Sequence, residues 1–217
     1  APDELSDDHV VRLGMLTARM HIVGGRKDAP NRRLLTADTY GRDCIDWLAD
    51  HDTVPAHLFS RYEQAAEIIA NAAEARMEGI EVQRVHGDLH LSNLLLRDGI
   101  FHVLDFDDMV IAPPVQDLWL LLPGRDQHTR RQREIFLEAY QTLRDFDRST
   151  LNLIEPLRGL RLIHYATWLA KRWHDPIFPR TWPHFGDEEY WSNQTRNLEE
   201  IVDLIADSGG NQTTPKS

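Results

Sequence analysis

The alternation of apolar and polar positions along the chain predicts a string of amphipathic helices interrupted once by short strands. After Ser6, an N-cap residue followed by Asp7 and Asp8, apolar-facing positions recur at Val10, Leu13, Leu16, Thr17 and Met20, the spacing of a helix with one buried face. Gly24-Gly25 ends it, and residues 24–37 read as polar loop. A second helix is expected from Asp38 to Ala49, with Cys44, Ile45 and Leu48 on one side. Pro55 opens a third and longer one, which carries Leu58, Tyr62, Ala65, Ile69, Ala72 and Ala73 and stops at Gly79.

Then the period changes. Glu81 to Val85 predicts a short strand, and Leu94-Leu95-Leu96 and Ile100 to Leu104 predict two more, joined by an Arg97-Asp98-Gly99 turn in which Gly supplies the positive φ. Pro113-Pro114 restarts the chain, and Val115 to Leu122 predicts a short, deeply buried helix. Further helices are expected from Thr129 to Leu143, from Ser149 or Thr150 through Arg172, and after Asp187. Residues 173–185, rich in Pro and aromatics, read as an ordered loop packed on the surface. The tail 207–217 has nothing to bury and is expected to be disordered. The fold class is α+β and mostly helical, one lobe over residues 1–206 around a small β-hairpin.

Composition removes several classes of function. With 24 Lys and Arg against 35 Asp and Glu, the formal net charge of -11 speaks against non-specific nucleic-acid binding and against attraction to anionic membranes. Cys44 is the only cysteine, so neither an intrachain disulfide nor a cysteine-based zinc cluster is possible. No apolar run approaches the ~20 residues of a membrane span, and Ala1-Pro2-Asp3-Glu4 lacks the features of a signal peptide, which makes the cytoplasm the expected compartment.

The chemistry concentrates in Val85-His86-Gly87-Asp88-Leu89-His90-Leu91-Ser92-Asn93 and Val103-Leu104-Asp105-Phe106-Asp107-Asp108. The hairpin between these stretches would bring Asn93 back beside Asp105. Mg²⁺ prefers a few hard oxygen ligands plus water and phosphate oxygens. Asn93 and Asp105 suit that role, and Asp88 is left to accept the proton of an attacking hydroxyl. In a competing reading His86, Asp88 and His90 alternate along a strand as ligands of a metal hydrolase, but it leaves Asn93 and Asp105 without a role, and Gly87 suits a loop. Alternation also puts Asp105 and Asp107 on one side and Asp108 on the other. Leu95 and Leu104 read most simply as core residues, and Asp117 as an N-cap.

His86-Gly87-Asp88-Leu89-His90 with Asn93 resembles the H-G-D-x-H-x-x-N form of aminoglycoside phosphotransferases and of choline and homoserine kinases. Val103 to Asp108, Gln116-Asp117-Leu118-Trp119, Ile154-Glu155-Pro156-Leu157-Arg158 and Asp175-Pro176-Ile177-Phe178-Pro179 resemble the bacterial stress response kinase A family, described as serine/threonine protein kinases. The resemblance implies a protein kinase-like C-terminal lobe that uses ATP and Mg²⁺ to phosphorylate a hydroxyl on a protein or a small molecule. It implies Asp88 as catalytic base, Asn93 and Asp105 as metal ligands, Leu95 and Leu104 at the adenine, His86 as a prop of the loop and Asp117 as acceptor of its backbone N–H groups. The Gly-rich loop and strand Lys of an N-terminal lobe have no counterpart in the sequence. The missing N-terminal lobe is therefore an expected partner, and the chain is expected to be a fragment or a truncation, inactive in isolation. Two alternatives stay open: a small-molecule kinase, for which residues 187–189, Asp-Glu-Glu, would help form an acidic pocket, and a non-catalytic binding module.

Overall fold

The computed structural model describes residues 5–210. The chain forms two compact units, one of Ala1–Leu35 with Gly79–Leu151 and one of Thr36–Glu78 with Asn152–Ser217.

In the first unit, α1 (Asp7–Gly24) is capped by Ser6, whose side chain accepts from the His9 backbone while the His9 side chain answers at the cap. Its stripe buries Val10, Leu13, Thr17 and His21, and it packs against α5 (Gln127–Gln141), which presents Phe136 and Tyr140. Helix α5 starts at Asp126, which accepts from the Thr129 N–H. Gly24 is the last residue of α1 and not a turn residue: a Cβ there would lie 2.1 Å from the Arg84 carbonyl oxygen, so glycine lets the helix end abut a strand.

Two sheets of two strands each replace the single β element expected. β1 (Gln83–Val85) pairs antiparallel with β4 (Val110–Ala112), a strand the hydrophobic pattern does not announce. Leu34 adds a parallel bridge to Ile111 on the other edge of β4, so part of the expected 24–37 loop is extended. β2 (Leu94–Arg97) and β3 (Ile100–Val103) form the expected hairpin, in the register Leu94↔Val103 to Arg97↔Ile100. Its turn has two residues, both at positive φ, Asp98 at 51° and Gly99 at 74°. Helix α4 (Val115–Leu121) is buried at every position.

In the second unit, a π-turn (Asp38–Arg42) leads into α2 (Asp43–Asp50), and α3 (Ala56–Met77) packs on α6 (Ile154–Arg172) and α8 (Glu188–Gly210). The expected stripe of α3 is buried at Leu58, Tyr62, Ala65, Ile69 and Ala73. A 3-10 turn (Arg148–Leu153) precedes α6. The aromatic segment is not wholly loop: Ile177–Thr181 forms a short helix, α7, while Phe185 is buried against Trp173, Tyr190 and Trp191. Helix α8 runs through residues 207–210, which the pattern assigns to a disordered tail, and residues 211–217 lie outside the described residues. Among the described residues no helix is long and apolar enough to cross a membrane.

Candidate active site

Residues 86–109 form an excursion from the small sheet, closed at its base by the Val85↔Val110 pair. Gly87 makes the entry possible. Its φ is 83°, and a Cβ would sit 2.5 Å from Val110 Cγ1 and 2.7 Å from the Asp108 carbonyl oxygen. Left-handed backbone costs a side-chain-bearing residue ~1–2 kcal/mol and overpacking ~1–3 kcal/mol more. Gly87→Ala is therefore expected to lower stability by roughly 2–5 kcal/mol in urea denaturation, and a variant as stable as the parent would contradict this account of the entry.

The loop hangs from a buried carboxylate. Asp117, in the first turn of α4 and fully buried, accepts from the backbone N–H of His86 at its Oδ2 and of Gly87 at its Oδ1, both at 2.9 Å. It therefore anchors a different segment of chain and does not cap its own helix, whose N-cap position is Pro114. Its Oδ2 also lies 3.0 Å from His21 Nε2, and His21 Nδ1 lies 2.9 Å from the Tyr140 hydroxyl. All three side chains are buried, and burial pushes the Tyr140 phenol up to about 12. One proton arrangement satisfies every partner: Tyr140 donates to Nδ1 and Nε2–H donates to the carboxylate. Gln116 Nε2 donates to the Gly87 carbonyl at 3.1 Å and accepts through Oε1 from Trp119 Nε1 at 2.9 Å. The sequence gives no reason to single out His21, Tyr140, Gln116 or Trp119 individually; the Gln116-Asp117-Leu118-Trp119 spacing, with i and i+3 on one helix face, is the available signal for the last two.

The hairpin carries the other polar groups back to the loop. Leu104 N–H donates to the Asn93 carbonyl at 2.9 Å, which sets Asp105 next in chain beside Asn93. His86 Nε2 pairs with the Leu104 carbonyl at 2.9 Å, and its Nδ1 accepts from the Asp88 N–H at 3.3 Å. Asn93 Nδ2 donates to the Asp88 carbonyl at 2.9 Å. Asp88, Asn93 and Asp105 thus sit on one hydrogen-bonded framework. Asp105 takes φ 60°, a left-handed conformation uncommon for a residue with a side chain.

Its carboxylate is exposed and makes no hydrogen bond or ion pair among the described residues, and Asn93 Oδ1 likewise has no partner there. Mg²⁺ is usually held by one or two protein oxygens together with water and phosphate oxygens, and Asn93 Oδ1 and the Asp105 carboxylate are oxygens that could serve in that way. Asp88 is partly exposed, and its Oδ2 lies 3.3 Å from His90 Nε2, a pairing that gives His90 a place in the site.

Other expectations are corrected. Residues 104–109 form no strand, so alternation does not sort Asp105, Asp107 and Asp108; the Asp107 carbonyl instead accepts from Arg32 Nη1 at 2.7 Å. His86, Asp88 and His90 do not lie on a strand, and no group of three His, Cys, Asp or Glu among the described residues could hold a metal ion. Leu95 and Leu104 are not core: they are 48% and 46% exposed, on the hairpin face opposite buried Leu94 and Phe101.

The sequence and the fold are shared with known proteins. The chain is 37% identical over 199 residues to stress response kinase A of Escherichia coli (strain K12), a match covering 91% of this chain and 60% of the relative. It is 34% identical over the same span, with the same coverage, to serine/threonine protein kinase RdoA of Salmonella typhimurium. The chain thus spans about 60% of the length of these curated relatives. The fold superposes on amicoumacin kinase hAmiN, solved with AMP-PNP, Ca²⁺ and Ami, with a TM-score of 0.64 at 20% identity, covering 92% of this chain and 60% of that one. The profile of the phosphotransferase enzyme family matches residues 1–153, the span holding the loop, the hairpin and Asp117, and the chain belongs to that family.

Proposed function

We propose that this chain is the C-terminal lobe, over residues 1–206, of an ATP-dependent kinase that transfers the γ-phosphoryl group to a hydroxyl. The observation that carries the reading is the vacant oxygen pair of Asn93 and Asp105, held on the same framework as Asp88. Asn93 Oδ1 and the Asp105 carboxylate would hold Mg²⁺, which when bound neutralises charge on the β- and γ-phosphate oxygens.

The Asp88 carboxylate accepts the proton of the attacking hydroxyl as its oxygen bonds to phosphorus and the bond to the departing ADP oxygen breaks. His90, paired with Asp88, holds that carboxylate in orientation. His86 fixes the loop against Leu104, so the spacing between base and metal ligands is set before substrate arrives. The exposed Leu95 and Leu104 offer an apolar floor to adenine. A serine or threonine hydroxyl of a protein is the acceptor class we favour, because a relative 34% identical is named a serine/threonine protein kinase. A small-molecule hydroxyl is the competing outcome of a substrate panel.

The test is thermal unfolding of this chain with ATP, with Mg²⁺ and with both, repeated on Asp105→Ala. At ligand ten times its Kd, linkage stabilises the native state by ~1.4 kcal/mol, about 3–6 °C for a chain of this size. We expect a shift that needs both ligands and disappears in the variant. No shift, or one that persists in Asp105→Ala, would remove the metal–phosphate assignment.

A further inference from the structure

A cavity lies beside the loop, bordered by His21 and His86 but by none of the groups assigned to base, metal or adenine. It measures about 530 Å³ and is lined by Arg19, Met20, His21, Val23, Gly24, Arg84, Val85, His86, Phe106 and Met109, with none of Asp88, Asn93, Asp105, Leu95 or Leu104 among them. That volume falls within the roughly 300–1,000 Å³ of small-molecule sites, which are mostly apolar with a few convergent polar groups. Met20, Val23, Val85, Phe106 and Met109 supply the apolar wall, and Val23 and Phe106 remain 55% and 42% exposed. Large apolar side chains left exposed around a concavity are characteristic of binding sites.

The polar groups give the sign of the ligand. In a chain with 35 acidic residues, the lining contains no Asp or Glu and two arginines. Neither the Arg19 nor the Arg84 guanidinium makes a hydrogen bond or ion pair among the described residues. An apolar wall beside two uncommitted guanidinium groups matches a small organic anion, with the apolar body on Met20, Phe106 and Met109 and the charged head at Arg19 and Arg84.

We propose that this cavity is a binding site for a small amphipathic anion, a carboxylate or sulfonate on an aromatic or branched aliphatic body. The site also bears on the loop. The Phe106 ring packs on His86 at a centroid distance of 4.9 Å, so an occupant touches both the prop of the loop and the residue following Asp105. The proposal stands whether or not the chain transfers phosphate.

The probes are 8-anilino-1-naphthalenesulfonate and its uncharged parent, N-phenyl-1-naphthylamine, titrated into the chain by fluorescence. Saturable 1:1 binding of the sulfonate is expected, at least tenfold weaker in the Arg19→Gln/Arg84→Gln double variant, with the uncharged parent bound equally by both proteins. Val23→Asp, at an exposed lining position, is expected to weaken the sulfonate in the same way. Each variant is first checked for an unchanged thermal midpoint. Binding that does not saturate, or that is the same in the parent and the charge variants, would overturn the assignment.

Discussion

Asp117→Ala is expected to destabilise the chain by about 3–5 kcal/mol, the scale for removing one member of a buried charged network. Asp117 has no exposed surface and its two oxygens satisfy the buried N–H groups of His86 and Gly87 together with His21 Nε2. Alanine orphans all three donors, and each orphaned buried donor costs ~1–3 kcal/mol. Asp117→Asn keeps one acceptor oxygen but opposes an amide NH₂ to an existing donor, so its loss is expected to be similar in sign and smaller. Urea denaturation of both variants measures this. Amide exchange at His86 and Gly87 should rise in Asp117→Ala before global unfolding, because these N–H groups lose their partner. A stability within about 1 kcal/mol of the parent, with both amides still protected, would show that the loop does not hang from this residue.

Asp88→Ala is expected to act in the opposite manner, leaving the fold intact and removing the chemistry. Its side chain is partly exposed and its backbone carbonyl, which the substitution preserves, is the atom that accepts from Asn93. Loss of a general base lowers kcat by ~10²–10⁴-fold, and Asp88→Asn should match it, since an amide cannot take the proton. The nucleotide-dependent thermal shift should survive in Asp88→Ala and vanish in Asp105→Ala, because only the second substitution removes a phosphate-side ligand. The measurement is steady-state transfer from ATP, in a preparation where the parent shows activity, beside thermal unfolding of each variant. Turnover retained by Asp88→Ala would sink its role as base, and a thermal midpoint lowered by many degrees would reassign Asp88 to the fold.

The two predictions differ because the two carboxylates differ in burial, a property that sequence conveys unevenly. The pairing of Asn93 with Asp105 was accessible from the chain alone. Both residues flank one hairpin whose Asp98-Gly99 turn dictates its own type, so the register follows from local geometry. Helices α1 and α3 were equally legible, since their apolar periodicity is long enough to outweigh end effects, whereas the seven-residue α4, buried at every position, was marked only by the Pro113-Pro114 restart before it. Strand β4 was not, because three residues carry no readable period and exist as a strand only by pairing with β1.

The exposure of Leu95 was hidden for a related reason. Leu94-Leu95-Leu96 is apolar at every position, so alternation could not show which face the hairpin turns to solvent.

What the sequence by itself determined is the helical frame and the hairpin that returns Asp105 to the neighbourhood of Asn93, because each depends on residues near in the chain. What only the tertiary structure decided is how that pair is held and what surrounds it. Asp117 reaches His86 across 31 residues, His21 reaches Asp117 across 96 and Tyr140 across 119. The cavity at Arg19 and Arg84 likewise draws its wall from α1, β1 and the stretch after Asp105. A buried carboxylate must find donors wherever the packed helices place them. No local pattern encodes which distant donors those are.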